Sequence, residues 1–332
     1  MGKLTPLLRP LLVAAAVGAN LTACAHDHKG KGNAQPAADA GQTLVERIKT
    51  QLVHLPGGTF EMGDWGSPEG LPYDMERDSK PLHKVTLDGF SMMAYKVTYE
   101  DFDAFTEAVG SPKINADIER HRPGARKPMR PAKVNWFGAK AFCQWLGKLS
   151  SLPFDLPTEA QWEYAARSGG KRLIFATDNG QVDEGRNYPD DNHRPRLVTP
   201  EVGAFPPNPA GLFGMLDYMA LEWVNDWYQP DYYQRSPLVN PPGPETGAQD
   251  ERKPAYGPRK AARGLTASSP AFGGFTFSRA GRWPYARELS VLRDIDRLLT
   301  DPGVGFGDAL GPQFRCVVNQ PRPGALAPSL DK

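Results

Sequence analysis

The stretch Leu156-Pro157-Thr158-Glu159-Ala160-Gln161-Trp162-Glu163-Tyr164-Ala165-Ala166-Arg167 is a helix written with its own start signal. Thr158 supplies the N-cap hydroxyl, and Glu159 sits in the first turn, where a carboxylate meets the positive end of the helix dipole. Trp162, Ala165 and Ala166 recur at spacings of three and four, which turns one apolar stripe inward. Upstream, Pro131-Ala132-Lys133-Val134-Asn135-Trp136-Phe137-Gly138-Ala139-Lys140-Ala141-Phe142-Cys143-Gln144-Trp145-Leu146 holds a second apolar helix. Before that, Thr98 caps a third, with acidic residues in its first turn and Phe102 and Phe105 on one face. Further towards the N-terminus, Pro81 to Phe90 alternates as a strand, and Val53 to Gly63 is a short strand broken at the Pro56-Gly57-Gly58 turn.

Around these elements the composition sets limits. The 332 residues carry 39 Lys+Arg against 38 Asp+Glu, so a net charge of +1 gives no field that would gather nucleic acid. Hydrophobic residues at 40% suffice for a core, while a mean hydropathy of -0.50 excludes a multi-span membrane protein. Gly (34) and Pro (33) favour loops and short elements over long helices. Residues 1–24 have basic Lys3 and Arg9, the apolar run Leu11 to Val17 and small residues at the end, the pattern of a secretory signal. Its close, Leu21-Thr22-Ala23-Cys24, resembles a bacterial lipobox and makes Cys24 the expected lipidated residue. With Ala25 following, this implies the periplasmic face of the outer membrane. Residues 25–45 read as a flexible tether, 46–320 as one domain and 321–332 as a disordered tail.

The blocks above, with Phe213-Gly214-Met215-Leu216-Asp217, Glu222-Trp223-Val224-Asn225-Asp226-Trp227-Tyr228, Ala262-Arg263-Gly264 and Phe314-Arg315-Cys316, resemble the sulfatase-modifying-factor family, the domain of formylglycine-generating enzymes. The resemblance implies an irregular α+β fold related to C-type lectins, with little regular secondary structure. The tryptophans read as core, and Arg263 and Arg315 as internal anchors for carboxylates.

The family's oxidases bind copper through two cysteines, six and eleven residues past the arginine of an Arg-Gly-Gly-Ser block. Counted from Arg263, those positions are Ser269 and Gly274, and neither supplies the soft thiolate that copper(I) requires. Copper is therefore not expected. Cys143 and Cys316 read as small buried residues; an oxidising compartment allows a bridge between them, which the sequence does not decide. The family's structural calcium site falls on Asp217 to Trp223, two residues short here and without its Gly-Asn pair. Calcium would be left with Asn225 and Asp226. Six histidines (26, 28, 54, 83, 121 and 193) show no metal-ligand spacing, and His83 reads as a packed turn residue.

The chain is thus expected to be a lipid-anchored, non-catalytic binding or accessory module with a protein partner in the envelope, a toxin-neutralising immunity role included. Asp231 to Gly257 would form recognition loops. The alternative is an oxidase or maturation enzyme with an atypical site drawing on Ser269, Arg279 or Arg282. One charge feature stands apart. Glu119 to Arg130 holds Arg120, Arg122, Arg126, Lys127 and Arg130 against one acid, a loop suited to an acidic partner or lipid headgroups.

Overall fold

A computed structural model of the chain describes residues 34–190, 199–218, 220–265, 270, 273–285 and 305–319. Cys24, Ser269 and the expected tail lie outside the described residues. The elements run α1 (Ala34–Thr50), β1 (Leu52–Leu55), β2 (Gly58–Met62), β3 (His83–Leu87), β4 (Phe90–Met93), α2 (Tyr99–Ala108), α3 (Ile118–His121), α4 (Trp136–Ser150), β5 (Phe154–Asp155), α5 (Glu159–Ala166), β6 (Leu221–Trp227), β7 (Lys260–Gly264), β8 (Arg279–Arg282) and β9 (Val317–Asn319). Short elements with long connections are what the glycine and proline content asks for.

The caps are where the sequence puts them. Thr98 accepts from the Asp101 amide at 3.2 Å and donates its own amide to Asp101 at 3.0 Å, a closed capping box at the start of α2. A further cap, not expected from the sequence, is Asn135, which holds the start of α4 through the Gly138 amide at 2.8 Å. At α5 the box is closed by Thr158 and Gln161, which leaves Glu159 free to turn inward.

Three antiparallel sheets are arranged around these helices. One has the order β1-β4-β9-β5, so the C-terminal strand slots between two early ones, with Phe90 opposite Asn319 and Phe154 opposite Val318. A second is the β2-β3 ribbon, and a third is β6-β7-β8, in which the register shifts between Trp223 and Trp227. The turn into β2 needs Gly57, whose φ is +75° and where a Cβ would lie 2.4 Å from the Leu87 carbonyl oxygen. Two hydrophobic clusters fill the body. One gathers Trp162, Tyr164, Tyr188, Leu212 and Val224, the other Phe102, Phe142, Leu146, Trp223 and Phe314. Among the described residues no helix is long and apolar enough to cross a membrane.

One expectation is corrected and one open alternative is decided. The stretch 25–45 is helical from Ala34 onward, and Leu44, Val45 and Ile48 are buried in the second cluster, with Arg47 paired to Asp101 of α2. Its alanine-rich start masked three apolar residues on one face, and those residues attach the helix to the body. Cys143 and Cys316, whose pairing the sequence leaves open, are joined in a disulfide with their Cα atoms 5.7 Å apart. Their separation of 173 residues puts the contact beyond any local signal.

Replacing both with alanine is expected to cost about 2–5 kcal/mol, because the bridge constrains a long loop of the unfolded chain. Urea unfolding checks this; equal midpoints for the oxidised wild type and the double variant would refute it.

Candidate functional site

The densest polar chemistry lies where α5 meets β7 and β8. Glu159 and Glu163 are one helical turn apart and face the same way, and both are essentially fully buried. Cross-strand pairing sets Arg263 of β7 opposite Arg279 of β8, so two guanidinium groups arrive together. Arg279 donates to both oxygens of Glu159 (Nε 2.7 Å, Nη2 2.9 Å). Arg263 bridges the two acids, 3.1 Å to Glu159 and 2.7 Å to Glu163, and also donates to Tyr233 Oη at 3.0 Å. Arg167, a turn beyond, reaches Glu163 at 2.9 Å. Burial alone would raise the Glu159 carboxyl; the guanidiniums of Arg279 and Arg263 reverse this and hold it below its ordinary value.

The position of Arg279 settles one expectation. Named for the atypical site of the enzymatic alternative, as a possible cleft residue, it is 7% exposed and committed to Glu159 and to the Asp78 carbonyl at 2.5 Å. Arg282, named with it, lies half-buried at the end of β8. Arg263 and Arg315 are internal anchors as expected, Arg315 holding Glu222 through Nε (2.8 Å) and Nη2 (3.0 Å). His83 is packed 4.5 Å from the Tyr233 ring with Nδ1 3.1 Å from the Pro81 carbonyl oxygen, and burial lowers its pKa.

Gly274, at one of the two family copper positions, has φ +77°. A Cβ there would come within 2.9 Å of Leu265 Cδ1 and 3.0 Å of Leu216 Cδ1. The neighbouring wall is aromatic: Phe275 packs on Phe277 at 5.4 Å, and Trp65 meets Phe277 edge-on at 4.9 Å. Both described cysteines are tied in the disulfide, and the described residues contain no group of three or more His, Cys, Asp or Glu able to hold a metal. This donor set does not fit copper.

The residues left for calcium do not fit it either. Asn225 Oδ1 accepts from the Lys140 ammonium at 3.0 Å and its carbonyl from the Lys260 ammonium at 2.9 Å. Lys260 lies between the rings of Trp136 (4.0 Å) and Trp227 (3.9 Å). Asp226 Oδ2 accepts from the Glu159 amide at 2.9 Å. Both Asn225 oxygens thus already serve ammonium groups, and one Asp226 oxygen serves a backbone amide. Burial, and then the Glu159 charge, push the Asp226 carboxyl up to about 7. Burial also brings Lys260 down to about 8.

Sequence reasoning found Arg263, Arg279 and the helix that carries Glu159, but not that the two glutamates receive the arginines. The signal was present in the four-residue spacing of Glu159 and Glu163 on a face otherwise turned to the core.

Comparison with known proteins places this geometry. Residues 37–319 match the sulfatase-modifying factor enzyme 1-like domain. The formylglycine-generating enzyme of Streptomyces coelicolor is 34% identical over 265 residues, covering 64% of this chain and 80% of that protein. The inactive C-alpha-formylglycine-generating enzyme 2 of Bos taurus is 30% identical over 243 residues, covering 57% and 73% respectively. Among solved structures, PvdO from Pseudomonas aeruginosa superposes with a TM-score of 0.57 at 24% identity, covering 81% of this chain and 94% of that one, a likeness of fold.

Asp226 makes stability depend on pH in a stated direction. With a folded pKa of about 7, above its unfolded value, it holds a proton between about pH 4 and pH 7 that the unfolded chain releases. This contribution therefore falls as pH rises through that window. Asp226→Asn keeps an acceptor for the Glu159 amide and removes the titration, so the variant should gain stability over wild type between about pH 5 and about pH 8. Parallel urea midpoints for the two proteins across that range would show that Asp226 ionises without cost.

Proposed function

We propose that this chain, which belongs to the sulfatase-modifying factor enzyme 1-like domain family, uses the family's fold as a non-catalytic binding module held at the periplasmic face of the outer membrane by a lipid on Cys24. The observation that carries the proposal is Gly274: where a copper-binding thiolate would stand, the backbone is in the left-handed region and the space is filled by Leu265 and Leu216. The buried arginines supply no replacement, because Arg263 and Arg279 are spent on Glu159 and Glu163. A relative named as inactive lends the same support.

A partner protein would meet the surface on the Asp231–Gly257 connection. Leu238 and Val239 are 55% and 54% exposed, yet their backbone is fastened to β3: Thr86 donates to the Leu238 carbonyl at 2.7 Å, and Asn240 to that of Thr86 at 2.8 Å. Two apolar side chains on a fixed edge suit protein recognition in the envelope, because little order is lost on binding.

Incubated with copper, oxygen and a cysteine-bearing sulfatase peptide, the purified chain should leave the cysteine unconverted by mass spectrometry, while the Streptomyces coelicolor enzyme serves as positive control. Conversion above a protein-free blank would restore an oxidase. The anchor is tested separately: Cys24→Ser should move the protein from the membrane fraction to the soluble periplasm, and a variant that still sediments with membranes would remove the lipid from the proposal.

A further inference from the structure

The basic loop leaves a charge unanswered. Of its cations, Arg120 pairs with Asp117, Arg126 with Asp103, and Lys127 with Glu201 at 3.6 Å. Its own acid, Glu119, is consumed as a backbone acceptor, taking the amides of Gly124 (2.7 Å) and Arg126. Arg122 and Arg130 form no ion pair among the described residues, and neither does Lys133, which enters α4 from the other side. These three converge on one small pocket, lined also by Tyr99, Ile118 and Thr199.

Inside it, the donors outnumber the acceptors. Arg130 gives one Nη1 bond to the Thr199 carbonyl at 2.5 Å, while its Nε is buried with no partner. Thr199 Oγ1 accepts from Gln313 Nε2 at 2.8 Å, which leaves the hydroxyl proton available. Burial, then the like charges of Arg122 and Lys96, hold the Lys133 ammonium below its ordinary value, and burial lowers Arg130 as well. Glu201 and Glu119 act on Arg130, and Asp217 and Asp308 on Lys133, without forming an ion pair with them, so three cations partly out of water lack a contacting counter-charge, which raises the free energy of the empty pocket.

We infer that this pocket binds a phosphoryl group, with Arg122, Arg130 and Lys133 as its cationic ligands and Thr199 as a hydroxyl donor. A carboxylate would neutralise one of three charges. A phosphate monoester brings about two negative charges and three acceptor oxygens, and guanidinium forks match its geometry. The inference stands on different residues from the proposed loss of catalysis, and either can fail alone.

The test uses the full chain carrying Cys24→Ala, so that no acyl chain contributes to membrane binding. Calorimetric titration with inorganic phosphate should show saturable binding. Arg122→Gln and Lys133→Gln should each weaken it roughly tenfold or more, as expected for loss of a charge-assisted hydrogen bond. Arg120→Gln, a carboxylate-paired neighbour outside the pocket, should leave it unchanged. Unaltered melting curves establish that the variants fold. Sedimentation with phosphatidylcholine vesicles, with and without phosphatidic acid, identifies the source of the phosphate. Arg122-dependent recovery only with phosphatidic acid supports the site with a lipid headgroup as its occupant, and titratable phosphate without vesicle recovery supports it with a soluble phosphate compound. Absence of binding in both assays, or equal weakening by Arg120→Gln, would overturn it.

Discussion

Everything else in the body hangs on the buried cluster of Glu159 and Glu163 with Arg167, Arg263 and Arg279. Five ionised side chains lie at 7% exposure or less, and desolvating them is repaid only while every partner is in place. Loss of one acid would leave guanidinium charge stranded at a cost of about 3–5 kcal/mol, a large fraction of the stability of an ordinary domain. The cluster also reaches well beyond α5. The Glu163 carboxylate takes the Gly63 amide, Arg167 gives a bond to the Glu61 carbonyl, and Arg263 gives one to Thr276. It thereby fastens the β2 edge and the approach to β8 onto one helix.

A fold with so few regular elements needs such fasteners. Irregular backbone has no ladder to satisfy its carbonyls, yet buried carbonyls must find donors. Arginine answers this with five N–H groups in a fixed fork. Arg167 serves Glu61, Gly170 and Lys171, and Arg315 serves Met93, Ala94 and Phe213 while holding Glu222. The same economy explains why Arg279, attractive from sequence as a cleft residue, is unavailable for chemistry. A guanidinium that closes a buried charge balance cannot turn towards a substrate without opening it.

Local chemistry was legible and long-range pairing was not. The caps Thr98 and Thr158 announce their helices because the signal and the structure lie within four residues of each other. Arg263 and Arg315 were recognisable as anchors by type, whereas their partners, 104 and 93 residues away, were not. The same distance hid the Cys143–Cys316 bridge. Leu44, Val45 and Ile48 escaped notice because their pattern occupies only the last turns of an otherwise polar, alanine-rich stretch. At the copper positions the sequence was sufficient for Gly274, since absence of a thiol needs no geometry; what the fold adds is that Leu265 and Leu216 fill the space.

Cations occur in this protein in two conditions, and the difference bears on function. Lys140 and Lys260 sit among oxygens and aromatic faces supplied by the chain itself, Asp155, Asn225, Trp136 and Trp227, where a metal ion would compete with charge already present. That arrangement is complete, and it is structural. Arg122, Arg130 and Lys133 share the partial burial but have no acid in contact, because the one acid of their loop is turned onto backbone amides. Marginal stability makes charge without a contacting partner costly to retain, so its persistence beside this pocket is understandable if the missing negative charge arrives from outside. Under that logic the paired arginines hold the scaffold together, and the unpaired ones are the part of it that meets a ligand.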